Sequence, residues 1–145
     1  MADAPNVLVL SQTRAEAYEP TGREVCISVT DPAKVPARLS DRFAAILRLS
    51  FTDITEPIGH PDYVLFDETH ARAIVRFVQQ WPDVDRIVVH CRAGLGRSPG
   101  IAIGLTELFS WGAIDPLLKE HALCNHWVRK ELVRAGREAL PPQEA

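Results

Sequence analysis

The sequence predicts a single α/β domain, a central, mostly parallel sheet of four or five strands flanked by helices, spanning residues 1–140 with 141–145 as a loose C-terminal tail. Three observations carry this expectation. Short β-branched runs alternate with stretches whose apolar residues recur at helical spacing, the pattern of βα units. The run Arg86–His90 is nearly continuous in apolar character, as a strand covered on both faces requires. A chain of 145 residues, 46% of them hydrophobic, buries one substantial core and is too short for two ordinary ones.

The elements follow in order. Asn6–Leu10 and Glu24–Val29 read as strands, separated by a turn region containing Pro20 and Gly22, the second ended by Asp31-Pro32. Ala44–Ser50 is a third strand and Arg86–His90 a fourth. Between these two, Ala71, Ile74, Val75 and Val78 form one stripe of a helix with Asp67 as its N-cap and Pro82 beyond its end. A second helix is expected from Ser98-Pro99, where proline suits the first helical position, to about Gly112. A third is expected from about Pro116 to Ala135, with Leu117, Cys124, Val128 and Leu132 on its buried side. Trp81, Trp111 and Trp127 are expected to anchor the core and the helix packing.

A net charge of −3, spread along the chain, gives no global attraction to nucleic acid or to an anionic membrane, so any positive site must be local. No window reaches the roughly 18–20 apolar residues of a membrane span, and the N-terminus lacks the basic start and apolar run of a signal peptide. Three cysteines, Cys26, Cys91 and Cys124, make no disulfide framework. The expectation is a soluble, cytoplasmic protein with reduced thiols and no nucleic-acid or membrane partner; its oligomeric state is not legible.

The chemistry concentrates in Val88-Val89-His90-Cys91-Arg92-Ala93-Gly94-Leu95-Gly96-Arg97-Ser98-Pro99. A cysteine at the end of a buried strand is followed by five residues and then an arginine opening a helix. Gly94 and Gly96 let the loop curl so that the backbone N–H groups from Arg92 through Ala93, Gly94, Leu95 and Gly96 to Arg97 converge on one point, a nest that favours an anion. The Arg97 guanidinium adds a planar fork for two phosphate oxygens. A thiol at a helix N-terminus beside arginine loses its proton more readily than a free one, which makes Cys91 a nucleophile. Ser98 is placed to donate a hydrogen bond toward its sulfur, and His90 to orient the loop through its ring nitrogens.

These residues occupy every fixed position of His-Cys-x-x-Gly-x-x-Arg-Ser, and the sequence thereby resembles the cysteine-dependent protein-tyrosine and dual-specificity phosphatase superfamily, specifically its small bacterial-type members. Five fixed positions arise by chance in on the order of one window per million. The resemblance covers about residues 44–112; the first forty residues carry no matching motif. It implies a phosphate-monoester hydrolase working through phosphocysteine without metal or cofactor, on a phosphorylated protein or a small phosphate ester. It also implies an aspartate, some thirty to forty residues before the cysteine, that protonates the leaving oxygen. Asp53, 38 positions before Cys91 and directly after the third strand, is the expected acid, with Asp62 and Asp67 as rivals.

Phosphoinositide-directed relatives commonly carry lysines within this loop, whereas here it has Ala93, Leu95 and no lysine, which favours phosphoprotein over lipid; the resemblance implies phosphotyrosine as the foremost substrate. An inositol-phosphate phosphatase, a phosphopeptide-binding module without turnover, and an arsenate reductase or sulfur transferase are the competing readings. Cys26 and Cys124 read as small hydrophobes. His121, Cys124 and His126 are spaced by three and two, which on one helix would not face a common metal ion. His60 and Tyr63 are expected in a solvated loop, with the substrate rim as the competing position, and Arg92 either faces substrate or points to solvent.

Overall fold

The computed structural model describes residues 4–141. Four strands, β1 (Asn6–Ser11), β2 (Glu24–Thr30), β3 (Ala45–Ser50) and β4 (Arg86–Cys91), form one all-parallel sheet in the order β1-β4-β2-β3. The helices are α1 (Gln12–Ala17), α2 (Glu68–Gln80), α3 (Arg97–Leu108), α4 (Asp115–Glu120) and α5 (His126–Ala139). Of the expected four or five strands, four are present among the described residues, and the tail from 142 onward lies outside them.

The two central strands explain their own sequences. Successive side chains of a strand point to opposite faces. Val25, Ile27 and Val29 of β2 and Ile87, Val89 and Cys91 of β4 face the larger core, which α2, α3 and α5 complete with Ile74, Val75, Ile101, Leu105, Val128 and Leu132. Cys26 and Val88 face the opposite way, into a smaller cluster with Phe43, Leu8, Leu10, Tyr18 and Ile46. Both faces are covered, hence the near-continuous apolar run in β4. Each large aliphatic or aromatic side chain sealed here stabilises by about 1.5–3 kcal/mol relative to exposure.

Three boundaries differ from expectation. The helix drawn from Pro116 to Ala135 is two helices, interrupted by the turn from His121 to Asn125. The Asn125 side chain accepts a hydrogen bond from the backbone N–H of Val128, so Asn125 starts a new helix instead of continuing the old one. The apolar stripe hid the break because Cys124, in the turn, is buried like Val128 and Leu132 of α5, whereas α4, with Leu117, buries no side chain fully. Helix α1 carried no sequence signal: it has six residues and buries only Ala15. The helix after the cysteine loop ends at Leu108, a turn earlier than expected.

Phe51 and Phe66, both fully buried and packed edge to face at 5.0 Å, pin the two ends of the segment between β3 and α2. Inside them the Thr52 N–H donates to Val64 O at 2.7 Å, and the Val64 N–H donates to Thr52 Oγ1 at 2.9 Å. Everything between is therefore an excursion from a fixed base, with Asp53 next to that base and Asp62 out on its exposed arc.

Candidate active site

Parallel strands bring their carboxyl ends to one edge of the molecule, where ligands of such sheets bind. Cys91 is the last residue of β4 and Arg97 the first of α3, so the connecting loop lies at that edge. The loop backs onto the end of β1: the Gln12 N–H donates to Arg92 O at 3.1 Å. Gly94 adopts φ +76°, and a Cβ there would stand 2.8 Å from the Ser11 nitrogen, so glycine is required by conformation and by space.

Cys91 is 2% exposed, and its sulfur is surrounded by donors. The Gly94 N–H reaches it at 3.3 Å, the Ser98 N–H at 3.5 Å, and the Ser98 hydroxyl lies 3.1 Å away. Such donors are placed to hydrogen-bond the sulfur. Beneath the loop, His90 is fully buried, with Nδ1 3.2 Å from Cys91 O and Nε2 2.6 Å from Ser28 Oγ. A carbonyl oxygen only accepts, so Nδ1 carries the hydrogen and Nε2 accepts from Ser28. Burial, seconded by the charge of Arg48, pushes the His90 pKa down and keeps the ring neutral. Ser28 and His90 are paired in register on adjacent strands and so share one face of the sheet.

Arg97 is held from one side. Its Nη1 donates to Asp31 Oδ1 and to Phe51 O, both at 2.8 Å. Its Nε is buried and has no partner among the described residues. The Nε–Nη2 edge, which presents two parallel N–H bonds, is thus the edge left for a tetrahedral oxyanion. Asp31 had no motif to announce it; the one sequence signal was its place just past β2, at the carboxyl end of a parallel strand.

Asp53, Asp31, Cys91, Arg97 and Leu123 line one cleft of about 400 Å³ together with loop residues Arg92, Ala93, Leu95 and Gly96. The Asp53 carboxylate rests against the loop so closely that a Cβ on Gly96 would lie 2.5 Å from Oδ2. Its Oδ1 accepts from Asn125 Nδ2 at 2.8 Å. Asp62 and Asp67 do not reach the cleft. Asp62 is exposed beside His60, and Asp67 caps α2 in a reciprocal capping box with His70. His60 and Tyr63 pack on one another in the exposed arc, away from the cleft lining. Arg92 is exposed on the loop.

Elsewhere, a larger groove of about 660 Å³ opens at the amino ends of the strands between Trp81, Phe109 and Trp111, but no charged group, cysteine or histidine lines it. Burial pushes the Cys26 thiol up to about 12 and raises that of Cys124, which lies near His126 Nδ1. The three residues His121, Cys124 and His126 do not share a helix: they end α4, occupy the turn and open α5. No cluster of three metal-ligating side chains occurs among the described residues.

An all-parallel α/β sheet that carries His-Cys-x-x-Gly-x-x-Arg-Ser at its carboxyl edge marks the chain as like the protein-tyrosine and dual-specificity phosphatases. Among solved structures it is similar to TpbA of P. aeruginosa, with 14% identity, a TM-score of 0.48, and 94% of this chain and 82% of that one covered. It is similar also to Tk-PTP in the active form, with 17% identity, a TM-score of 0.44, and coverage of 95% and 82%. No family model and no curated protein matches the sequence. No helix among the described residues is long and apolar enough to cross a membrane.

Proposed function

We propose that the protein is a phosphatase that hydrolyses phosphate monoesters, foremost phosphotyrosine in proteins, through a phosphocysteine intermediate. The observation that carries this reading is the Cys91 sulfur, ringed by three donors beside an arginine whose Nη1 is anchored and whose Nε is buried without a partner among the described residues. A purely structural cysteine needs neither.

In the first half-reaction the Cys91 thiolate attacks phosphorus, with Arg97 and the loop N–H groups from Arg92 to Arg97 holding the equatorial oxygens. An S–P bond forms, the P–O bond to the leaving group breaks, and Asp53 gives its proton to that oxygen. In the second, water attacks phosphorus and passes a proton to the Asp53 carboxylate, and the S–P bond breaks. The sulfur departs as thiolate toward the Ser98 hydroxyl. His90 holds the loop from below and does not exchange protons with substrate. No step calls for a metal, and the free thiol calls for a reducing compartment such as the cytoplasm.

Phosphotyrosine is favoured by the rim. Leu95 is 56% exposed and Leu123 71% exposed, both on the cleft, and they offer apolar contact to an aromatic ring in a loop without lysine. The test is hydrolysis of p-nitrophenyl phosphate and a phosphotyrosine peptide under reducing conditions in chelator, with Cys91→Ser alongside. Turnover abolished by the substitution is the expected result. Turnover that survives it sinks the thiol mechanism, and tight phosphopeptide binding without turnover would make the protein a binding module.

A further inference from the structure

Asn125 is a buried polar residue at the start of α5, outside the cysteine loop and outside the segment that bears Asp53, yet it is bonded to both. Its backbone N–H donates to Gly96 O in the cysteine loop at 2.9 Å. Its Oδ1 accepts from the Val128 N–H at 3.0 Å and so caps the helix. Its Nδ2 donates to Asp53 Oδ1 at 2.8 Å and to Ile54 O at 3.0 Å. The orientation of the amide is unambiguous, because one end faces an N–H and the other a carboxylate and a carbonyl.

Capping explains only half of this side chain. An N-cap needs an oxygen, which serine, threonine or aspartate supplies as well. The amide nitrogen is surplus to the cap, and both of its hydrogens are spent on the segment carrying Asp53. Aspartate in its place would keep the cap but set a like charge against Asp53; serine would keep it and fall short. Only an amide of this length serves both ends.

We propose that Asn125 is a positioning residue for proton transfer to the leaving group: it fixes Asp53 Oδ1 so that Oδ2, pressed against Gly96, is the oxygen that exchanges protons over the cysteine loop. The inference rests on the phosphatase reading. It makes α5 a brace that ties the acid to the nucleophile loop, so that the distance between them is set by the fold. General acid catalysis contributes roughly 10²–10⁴-fold, and a misplacement of about 1 Å can cost on the order of 10²-fold.

The experiment compares kcat/KM for 2,4-dinitrophenyl phosphate, whose leaving group needs little protonation, with that for phenyl phosphate, whose leaving group needs much. The proteins are the unmodified chain, Asn125→Asp, Asn125→Ser, Asp53→Asn and the Asp53→Asn/Asn125→Ser double variant, each with a thermal melt. The expected result is that the ratio of the two rates widens on the order of ten-fold in both Asn125 variants, in the direction of Asp53→Asn. In the double variant, the Asn125 change should add little to the loss on phenyl phosphate, because the group it positions is already gone. Both single variants keep a capping oxygen, so a role in the helix alone predicts an unchanged ratio. That result, in whichever of the two folds, overturns the proposal. If the unmodified chain turns over neither ester, or does so without Cys91, the phosphatase reading fails first and this inference with it.

Discussion

Arg97 meets its surroundings through divided labour within one side chain. Nη1 is committed to Asp31 and to the Phe51 carbonyl, and the rest of the guanidinium faces the cleft. An arginine left free would lose rotamer freedom each time it closed on phosphate; here much of that loss is incurred when the chain folds. Asp31→Ala should therefore lower kcat/KM for phosphate esters by roughly ten-fold, the worth of about one charge-assisted hydrogen bond. Asp31→Asn, which retains an oxygen acceptor, should fall between that variant and the unmodified protein. Steady-state kinetics on the three proteins checks the order, and an Asp31→Ala variant as active as the unmodified chain would show that the Phe51 carbonyl suffices. Cys91, Arg97 and Ser98 were legible in the sequence because their spacing is itself the motif. Asp31 and Asn125 were not, because each meets the loop only through the fold, and a single aspartate after a strand or asparagine before a helix has simpler local explanations.

At the level of elements, boundaries follow caps more closely than apolar periodicity. The start of α2 was legible because Asp67 is a capping residue followed by a clean stripe, and its Oδ1 does accept from the Thr69 and His70 N–H groups. The division between α4 and α5 was hidden because the stripe runs on through Cys124 while an asparagine, weak as a helix signal but strong as a cap, interrupts the backbone. Asp67 also tests how the acid is distinguished from its rivals. Asp67→Ala should cost about 1 kcal/mol of stability, with a lowered denaturant midpoint, and leave the pH–rate profile of the proposed hydrolysis as it was. A variant of normal stability whose activity on phenyl phosphate collapses would reassign the acid from Asp53 to Asp67.

The whole molecule inherits a pH dependence from one buried ring. The folded protein holds His90 at a pKa below its ordinary value of 6.5, chiefly through burial, whereas the unfolded chain protonates it near 6.5. The unfolded state thus binds the extra proton first as the pH falls, and the stability His90 contributes is present above about pH 6.5 and lost on descending toward its folded pKa. Urea midpoints measured across pH 5–8 should fall at the acidic end, and His90→Gln should flatten that slope; parallel curves for the two proteins would place the dependence elsewhere. The α/β layout was legible because β4 is apolar on both faces. The strand order was not, since pairing a first strand with a fourth leaves no mark in either sequence.

The bonds that assemble the cleft also join distant parts of the chain. Asp31 is 66 residues from Arg97, Phe51 is 46 residues from it, and Asn125 is 72 residues from Asp53. Contacts of such separation reward the chain only after the entropy of closing long loops has been overcome. The cysteine loop can curl locally, but Arg97 and Asp53 acquire these partners only when the sheet and α5 are both docked. On the proposed reading, a partly folded chain would carry the complete signature and remain inert.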